Sequence, residues 1–228
     1  MRAMPGPLVV SDMDGTLAAV DTWRGVHAWI LANHPSRDAE RFVRARMPSI
    51  VMARVFGRDK EGFRARWQED QLRLLAGLDG SRMDELAAFV VDEHLWPARR
   101  QSAVDAVHAA IEEARGTDPA ARLVLASGAW HPIADAFARR LGADLALATP
   151  IEVVDNALTG RTLAATQSGV QKAAAVRALA NGAGVVAAFG DTAADVALLE
   201  LAVRPVAVAP DRQLRREAVR RGWEILEP

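Results

Sequence analysis

The 228-residue chain contains no cysteine. That excludes a disulfide framework, a thiolate metal site and a cysteine nucleophile, and it fits a reducing cytoplasm. It has almost no net charge, formally -1 at neutral pH. No overall positive field therefore exists to draw in nucleic acid or anionic lipid. The one basic cluster, Arg212, Arg215, Arg216, Arg220 and Arg221, sits among apolar Leu214, Ala218 and Val219 and reads as the solvated face of a helix. Long hydrophobic runs are missing too. Residues 1–7 lack the apolar stretch of a signal peptide, and nowhere do about 18 apolar residues run uninterrupted. The expectation is a soluble, cytoplasmic protein with no nucleic-acid or membrane partner.

Half of the residues are hydrophobic and a quarter charged, the balance of a globular protein long enough for one large domain or a core with a smaller companion. Leu8-Val9-Val10-Ser11 is a short apolar run closed by Asp12 and Gly15, which predicts a buried parallel strand. From Leu17 to Ala114 the spacing turns helical, as in Trp23, Val26, Ile30 and Leu31 or Leu86, Phe89 and Val90. After Gly116 strands and helices alternate: strand Leu123–Ala126, helix Pro132–Leu141, strand Leu145–Ala148, a hairpin of 151–154 and 158–163 turning at Asp155-Asn156, helix Val170–Leu179, strand Val185–Phe189, helix Ala193–Leu201, strand Pro205–Ala209, the basic helix, and an edge strand at Trp223–Leu226. Such alternation predicts an α/β fold: a Rossmann-like parallel sheet with helices on both faces, joined by right-handed crossovers. The long helical stretch must lie outside that sheet. The expected division is a core of residues 1–16 and 115–228 and an all-helical cap of residues 17–114.

Four places fall where a parallel sheet presents its carboxyl edge, the usual location of ligands in open sheets. Asp12-Met13-Asp14-Gly15-Thr16 ends the first strand. Two carboxylates two residues apart can divide labour, one attacking as an anion while the other moves a proton. Alone, the pattern fits a turn or a calcium loop equally well, although Thr16 and Trp23 stand where an EF-hand needs acidic or amide ligands. Ser127 and Gly128 offer a hydroxyl and open N–H groups at an expected helix start, a phosphate seat or a plain N-cap. Lys172 can neutralise a transferring phosphoryl group or simply lie at the surface. Asp191 and Asp195, four apart across a loop and first helical turn, can face one metal or cap a helix.

In order and placement these segments resemble the four motifs of the haloacid dehalogenase (HAD) superfamily, from Leu8 to the C-terminus. The insertion directly after the first motif resembles the C1 cap class, and its helical character resembles subfamily IB, phosphoserine phosphatase and its neighbours. The resemblance implies a phosphatase in which Asp12 attacks phosphorus to give an aspartyl-phosphate, while Asp14 protonates the leaving alkoxide and then activates water. It implies magnesium held by the Asp12 and Asp191 carboxylates and the Asp14 backbone carbonyl. Ser127, Lys172 and the N–H groups near Gly128 would hold the phosphoryl oxygens, and Asp195 would orient water or Lys172. The same groups would serve a phosphotransferase acting on an acceptor alcohol, or a protein that only binds a phospholigand.

For the substrate, expected to be a small phosphorylated metabolite, the resemblance is less complete. Asp21 falls near the family's cap acid, but Gln71 stands where its cap arginine belongs, with Arg66 and Arg73 nearby. Ser127-Gly128-Ala129-Trp130 replaces the family's Ser-Gly-Gly-Phe. Trp23 and Trp130 are the candidate aromatic walls of the pocket.

Overall fold

A computed structural model describes residues 6–35, 60–165 and 169–227, without the side chains of 60–65. Residues 36–59 of the expected cap lie outside the described residues. Six parallel strands form one sheet in the order β3-β2-β1-β6-β7-β8. They are β1 (Leu8–Ser11), β2 (Arg122–Trp130), β3 (Leu145–Thr149), β6 (Val185–Gly190), β7 (Ala202–Val208) and β8 (Glu224–Leu226). The chain works outward from β1 in one direction and then outward from its other side. β1 and β6 therefore flank the point where the strand order reverses, which opens a crevice at their carboxyl ends.

Alternate residues of β1 go to opposite faces, as the strand period demands. Val9 joins a core with Leu123 and Leu125 of β2, and with α4 (Gln101–Thr117) and α5 (His131–Leu141). Leu8 and Val10 join the other, with Val176 of α6 (Gly169–Ala180), Leu198 and Leu199 of α7 (Val196–Leu199) and Leu214 and Ala218 of α8 (Arg212–Arg221). The expected α/β architecture is thus present, helices on both faces included. The basic helix buries Leu214 and Ala218 but leaves Val219 exposed. Arg215 pairs with Glu227, Arg220 with Glu217, and Arg221 with Glu217 and Glu200, so much of that positive charge is matched within the chain.

The insertion contributes α1 (Thr22–Asn33), α2 (Lys60–Leu74), α3 (Gly80–Phe89) and a π-helical stretch, Val90–Leu95. Trp29, Ile30, Leu72, Leu86 and Val90 continue the first core without a break. α4, counted with the insertion in the sequence reading up to Ala114, packs on β1, β2 and β6. The two connections to the insertion run side by side: the Ala19 N–H donates to the Ala98 carbonyl at 2.8 Å, and Arg100 N–H to Leu17 at 2.7 Å.

The hairpin β4 (Ile151–Val154) and β5 (Ala157–Thr162) turns where expected. Asp155 and Asn156 both take positive φ, 49° and 61°, which short polar side chains tolerate and a tight hairpin requires. It is tied to the insertion, because Leu158 N–H donates to Leu78 and Gly77 N–H to Leu158, both at 2.8 Å.

Two expectations need correction. β2 does not stop at Ala126 but continues through a register break to Trp130, and α5 starts at His131, where Pro132 suits a first helical turn. Ser127 is therefore not at a helix N-terminus. The helix expected over Ala193–Leu201 is a 3-10 turn, Ala193–Asp195, followed by the single turn α7.

Candidate active site

The register sets Ser11 opposite Leu125 and Phe189, so Asp12 leaves the sheet between its two neighbouring strands. Its N–H donates to the Phe189 carbonyl at 3.0 Å, and the residue is only 6% exposed. Lys172, in the first turn of α6, donates to Asp12 Oδ1 at 2.6 Å and to Asp195 Oδ1 at 2.8 Å. The other Asp195 oxygen accepts from the Thr192 N–H at 3.1 Å and the Thr192 hydroxyl at 2.9 Å. Asp195 thus caps its short helix and binds the lysine at once; the two functions offered by the sequence are compatible.

Asp191 follows β6. The Thr16 hydroxyl lies 3.2 Å from Asp12 Oδ2 and 3.0 Å from Asp191 Oδ1. One hydroxyl has one proton, so it can donate to only one of the two at a time. Gly15 makes this approach possible. Its φ is +90°, and a Cβ there would lie 2.1 Å from Asp191 Oδ2. Asp12, Asp191 and Asp195 offer oxygens all within 4.8 Å of one another. Three carboxylates against the single Lys172 ammonium leave two negative charges in excess, and the donors are all hard oxygens. That set fits a divalent cation of the magnesium or calcium kind.

Asp14 is turned away from this group. Its Oδ1 accepts from the Thr22 hydroxyl at 2.6 Å and its Oδ2 from the Thr22 N–H at 3.0 Å. The three clustered carboxylates accordingly include Asp195 rather than Asp14, whose resemblance-based part in metal binding was through its backbone carbonyl.

Charge states follow from the surroundings. Burial and the negative charge of Asp21 push Asp14 up to about 7, against the donors of Thr22. Burial holds Asp12 above its ordinary value, against the pull of Lys172. For Asp195 burial acts upward as well, but Lys172 and the Thr192 donors win and hold it low. Burial alone would lower Lys172, yet Asp12 and Asp195 keep it raised and charged.

Ser127 is buried in β2, and its Oγ accepts from the Ala129 N–H at 3.1 Å. The Gly128 carbonyl accepts from the Thr149 hydroxyl at 2.9 Å. Trp130, expected as a pocket wall, is 2% exposed and belongs to the core. Its bulk is taken up by packing. Trp23 is half-buried, with its ring 4.9 Å from that of Trp67. Asp21 precedes α1 and has Arg24 at 3.9 Å. Gln71 is fully buried: its Nε2 donates to the Trp23 carbonyl at 3.0 Å, while its Oε1 has no partner among the described residues. Arg73 is exposed and held by Glu69 and Asp70.

Thr16 lies within the first motif, whereas Thr192, Thr22 and Arg100 carry no sequence signal of their own. The Arg100 Nε donates to the Gly15 carbonyl at 3.0 Å, fastening the first motif from the far end of the insertion. Only chain order after folding reveals such contacts.

The sheet, the switch-point crevice and the rim of carboxylates define a Rossmann-like α/β protein with a candidate cation site. The chain belongs to the haloacid dehalogenase-like hydrolase family, whose profile it matches over residues 9–200. It is 32% identical over 164 residues to phosphoserine phosphatase SerB1 of Mycobacterium tuberculosis (strain ATCC 25618 / H37Rv), covering 67% of this chain and 50% of that protein. The chain spans about half the length of the curated relatives it matches, or less. A crystal structure of a protein of unknown function from Bordetella pertussis Tohama I shares the fold with a TM-score of 0.77 at 22% identity, covering 97% of this chain and 98% of that one. A substrate-bound phosphoserine phosphatase does so with a TM-score of 0.63 at 18% identity, covering 98% and 93%. Among the described residues no helix is long and apolar enough to cross a membrane.

Proposed function

We propose that the protein is a magnesium-dependent phosphatase that hydrolyses a small phosphorylated metabolite through an aspartyl-phosphate on Asp12. The observation that carries this reading is the contact of one buried carboxylate, Asp12, with one ammonium, Lys172, beside two further carboxylates at a single sheet rim. Asp12 attacks phosphorus in line as the bond to the leaving oxygen breaks. Asp14, protonated below about 7 because burial and Asp21 raise it, gives its proton to that oxygen. Asp14 then takes a proton from water, which attacks the phosphoryl group and regenerates Asp12. Lys172 offsets charge on the phosphoryl oxygens. The Ser127 Oγ accepts from Ala129, so its own proton is left to donate to the phosphoryl group.

Asp12 and Asp191, with the Asp14 carbonyl, would hold the magnesium, which supplies electrostatic neutralisation between the nucleophile and an anionic substrate. Asp195 acts through Lys172, holding it beside Asp12. We read the insertion within residues 17–114 as the cap of a core formed by 1–16 and 115–228, its last helix, α4, joining the core where it packs on β1, β2 and β6. Asp21 and Trp23 would face the leaving group, while buried Trp130 stiffens the wall behind Gly128. The lack of cysteine supports a reducing cytoplasm as the compartment.

The test is hydrolysis of p-nitrophenyl phosphate by the full chain. Turnover with magnesium and none in excess chelator is expected; turnover unaffected by chelation removes the metal from the mechanism, and no turnover in either condition removes the reading. A panel of phosphomonoesters, with and without acceptor alcohols, then identifies the leaving group and separates hydrolysis from transfer.

A further inference from the structure

Asp14 reaches out of the sheet rim to the insertion. Both of its oxygens are engaged by one residue: Thr22 places its hydroxyl 2.6 Å from Oδ1 and its backbone N–H 3.0 Å from Oδ2. Thr22 is the first residue of α1 and is buried. The residue at the N-cap position, Asp21, has extended backbone but makes no side-chain capping bond. Asp14, eight positions upstream, instead satisfies a free N–H at the start of that helix. Between them the chain runs through the paired connections at Leu17–Ala19 and Ala98–Arg100. One carboxyl group thus serves the rim and the first helix of the insertion together.

We infer that Thr22 is a positioning residue that holds the Asp14 carboxyl in one orientation through both halves of the reaction. This rests on the reading of Asp14 as the acid and base. An acid/base group alternates between two states, and a fixed donor suits only one of them. Thr22 presents two kinds of partner. Its N–H can only donate, and it fixes one oxygen throughout. Its hydroxyl can donate to the other oxygen when that is ionised, and rotate its proton away when that oxygen carries one. The carboxyl plane then stays put while the proton leaves for the departing oxygen and returns from water. Because the donors belong to α1, the aim of the acid follows the seating of the insertion on the sheet.

Thr22→Val keeps the shape and the N–H and removes only the hydroxyl. Two aryl esters of nearly equal size separate aim from general damage. Phenyl phosphate expels a strongly basic phenolate that needs the proton, whereas p-nitrophenyl phosphate expels a stable anion that needs little help. The constant kcat/KM reads the steps through phosphoryl transfer to Asp12. For Thr22→Val it should fall on the order of tenfold with phenyl phosphate and less than about twofold with p-nitrophenyl phosphate, a fraction of what general acid catalysis contributes. Thr22→Ser should restore the phenyl phosphate value to within about twofold of wild type. Both esters are read on the same sample, so their ratio does not depend on how much of a variant is folded, and Thr22→Ala repeats the measurement without the hydroxyl. Equal losses on the two esters, no loss on either, or a serine variant as impaired as the valine one each overturn the assignment. A wild-type protein inert toward both esters instead sinks the phosphatase reading itself, together with this inference.

Discussion

The rim of the sheet and the wall of the insertion are built on opposite terms. At the rim every charged group is held by partners, near or far in sequence: Asp12 by Lys172 and Thr16, Asp195 by Lys172 and Thr192, Asp191 by Thr16. In the wall, among the described residues, Gln71 makes one hydrogen bond and leaves an acceptor unpaired, Trp23 leans on Trp67, and Asp21 lies 3.9 Å from the exposed Arg24. An over-determined rim holds reacting groups to the tolerance catalysis demands. A looser wall can be altered without unfolding the protein. The difference teaches that, on the proposed function, the reaction is written in the sheet and the leaving group in the insertion.

The largest effect expected on the rim is that of Asp12→Asn. The amide still accepts from Lys172 but is no nucleophile, so turnover of p-nitrophenyl phosphate should drop by a factor on the order of 10^4 or more with the melting temperature nearly unchanged. Wild-type-like turnover would remove the nucleophile. Lys172→Met comes next. It leaves Asp12 and Asp195 buried without their shared cation, which should cost about 3–5 kcal/mol in urea unfolding and lower kcat by a factor of roughly 10^2. An unchanged unfolding midpoint would mean that the ion pair does not hold the rim.

The acid lies between the two regions, and its titration reads both. Asp14 sits near 7 because burial and Asp21 disfavour its charge. It is protonated below that pH and ionised above it, so kcat/KM for phenyl phosphate should decline as pH rises past about 7. Asp21→Asn removes the neighbouring negative charge, lowers the Asp14 value and should move that decline to lower pH. A pH profile indifferent to Asp21 would separate the insertion from the acid.

How much of this was legible beforehand depends on range. Strand β1, the helix ending at Gly142 and the Asp155-Asn156 turn are fixed by local chemistry, namely apolar runs and residues that tolerate positive φ, and they fall as expected. The candidate rim could be read because each residue follows a strand or opens a helix, so that topology alone aligns Asp12 with Asp191. Ser127 lies in a strand rather than at a helix start because a register break carries β2 four residues further than its apolar run. Trp130 is a core residue rather than an open pocket wall because the same extension draws it inward. Thr22 and Arg100 escaped entirely, since their partners at Asp14 and Gly15 are brought near only when the two connections of the insertion pair.

The smallest effect is expected in the wall, and it decides whether the contrast holds. Gln71→Met matches the length of the side chain while removing both polar atoms. Losing the bond to the Trp23 carbonyl should cost about 1 kcal/mol. Removing the unpartnered Oε1 returns part of a desolvation penalty of similar size, roughly 1–3 kcal/mol. The two terms oppose each other, so the urea midpoint should move by less than about 1 kcal/mol in either direction, far below the change at Lys172. Turnover of p-nitrophenyl phosphate should stay within about twofold of wild type, because the hydrogen bond of the amide among the described residues goes to the Trp23 carbonyl and not to the rim. A loss comparable with that of Lys172→Met would show that Gln71 bears on the fold as heavily as the ion pair does, and the division between a rigid rim and a permissive wall would fail at that residue.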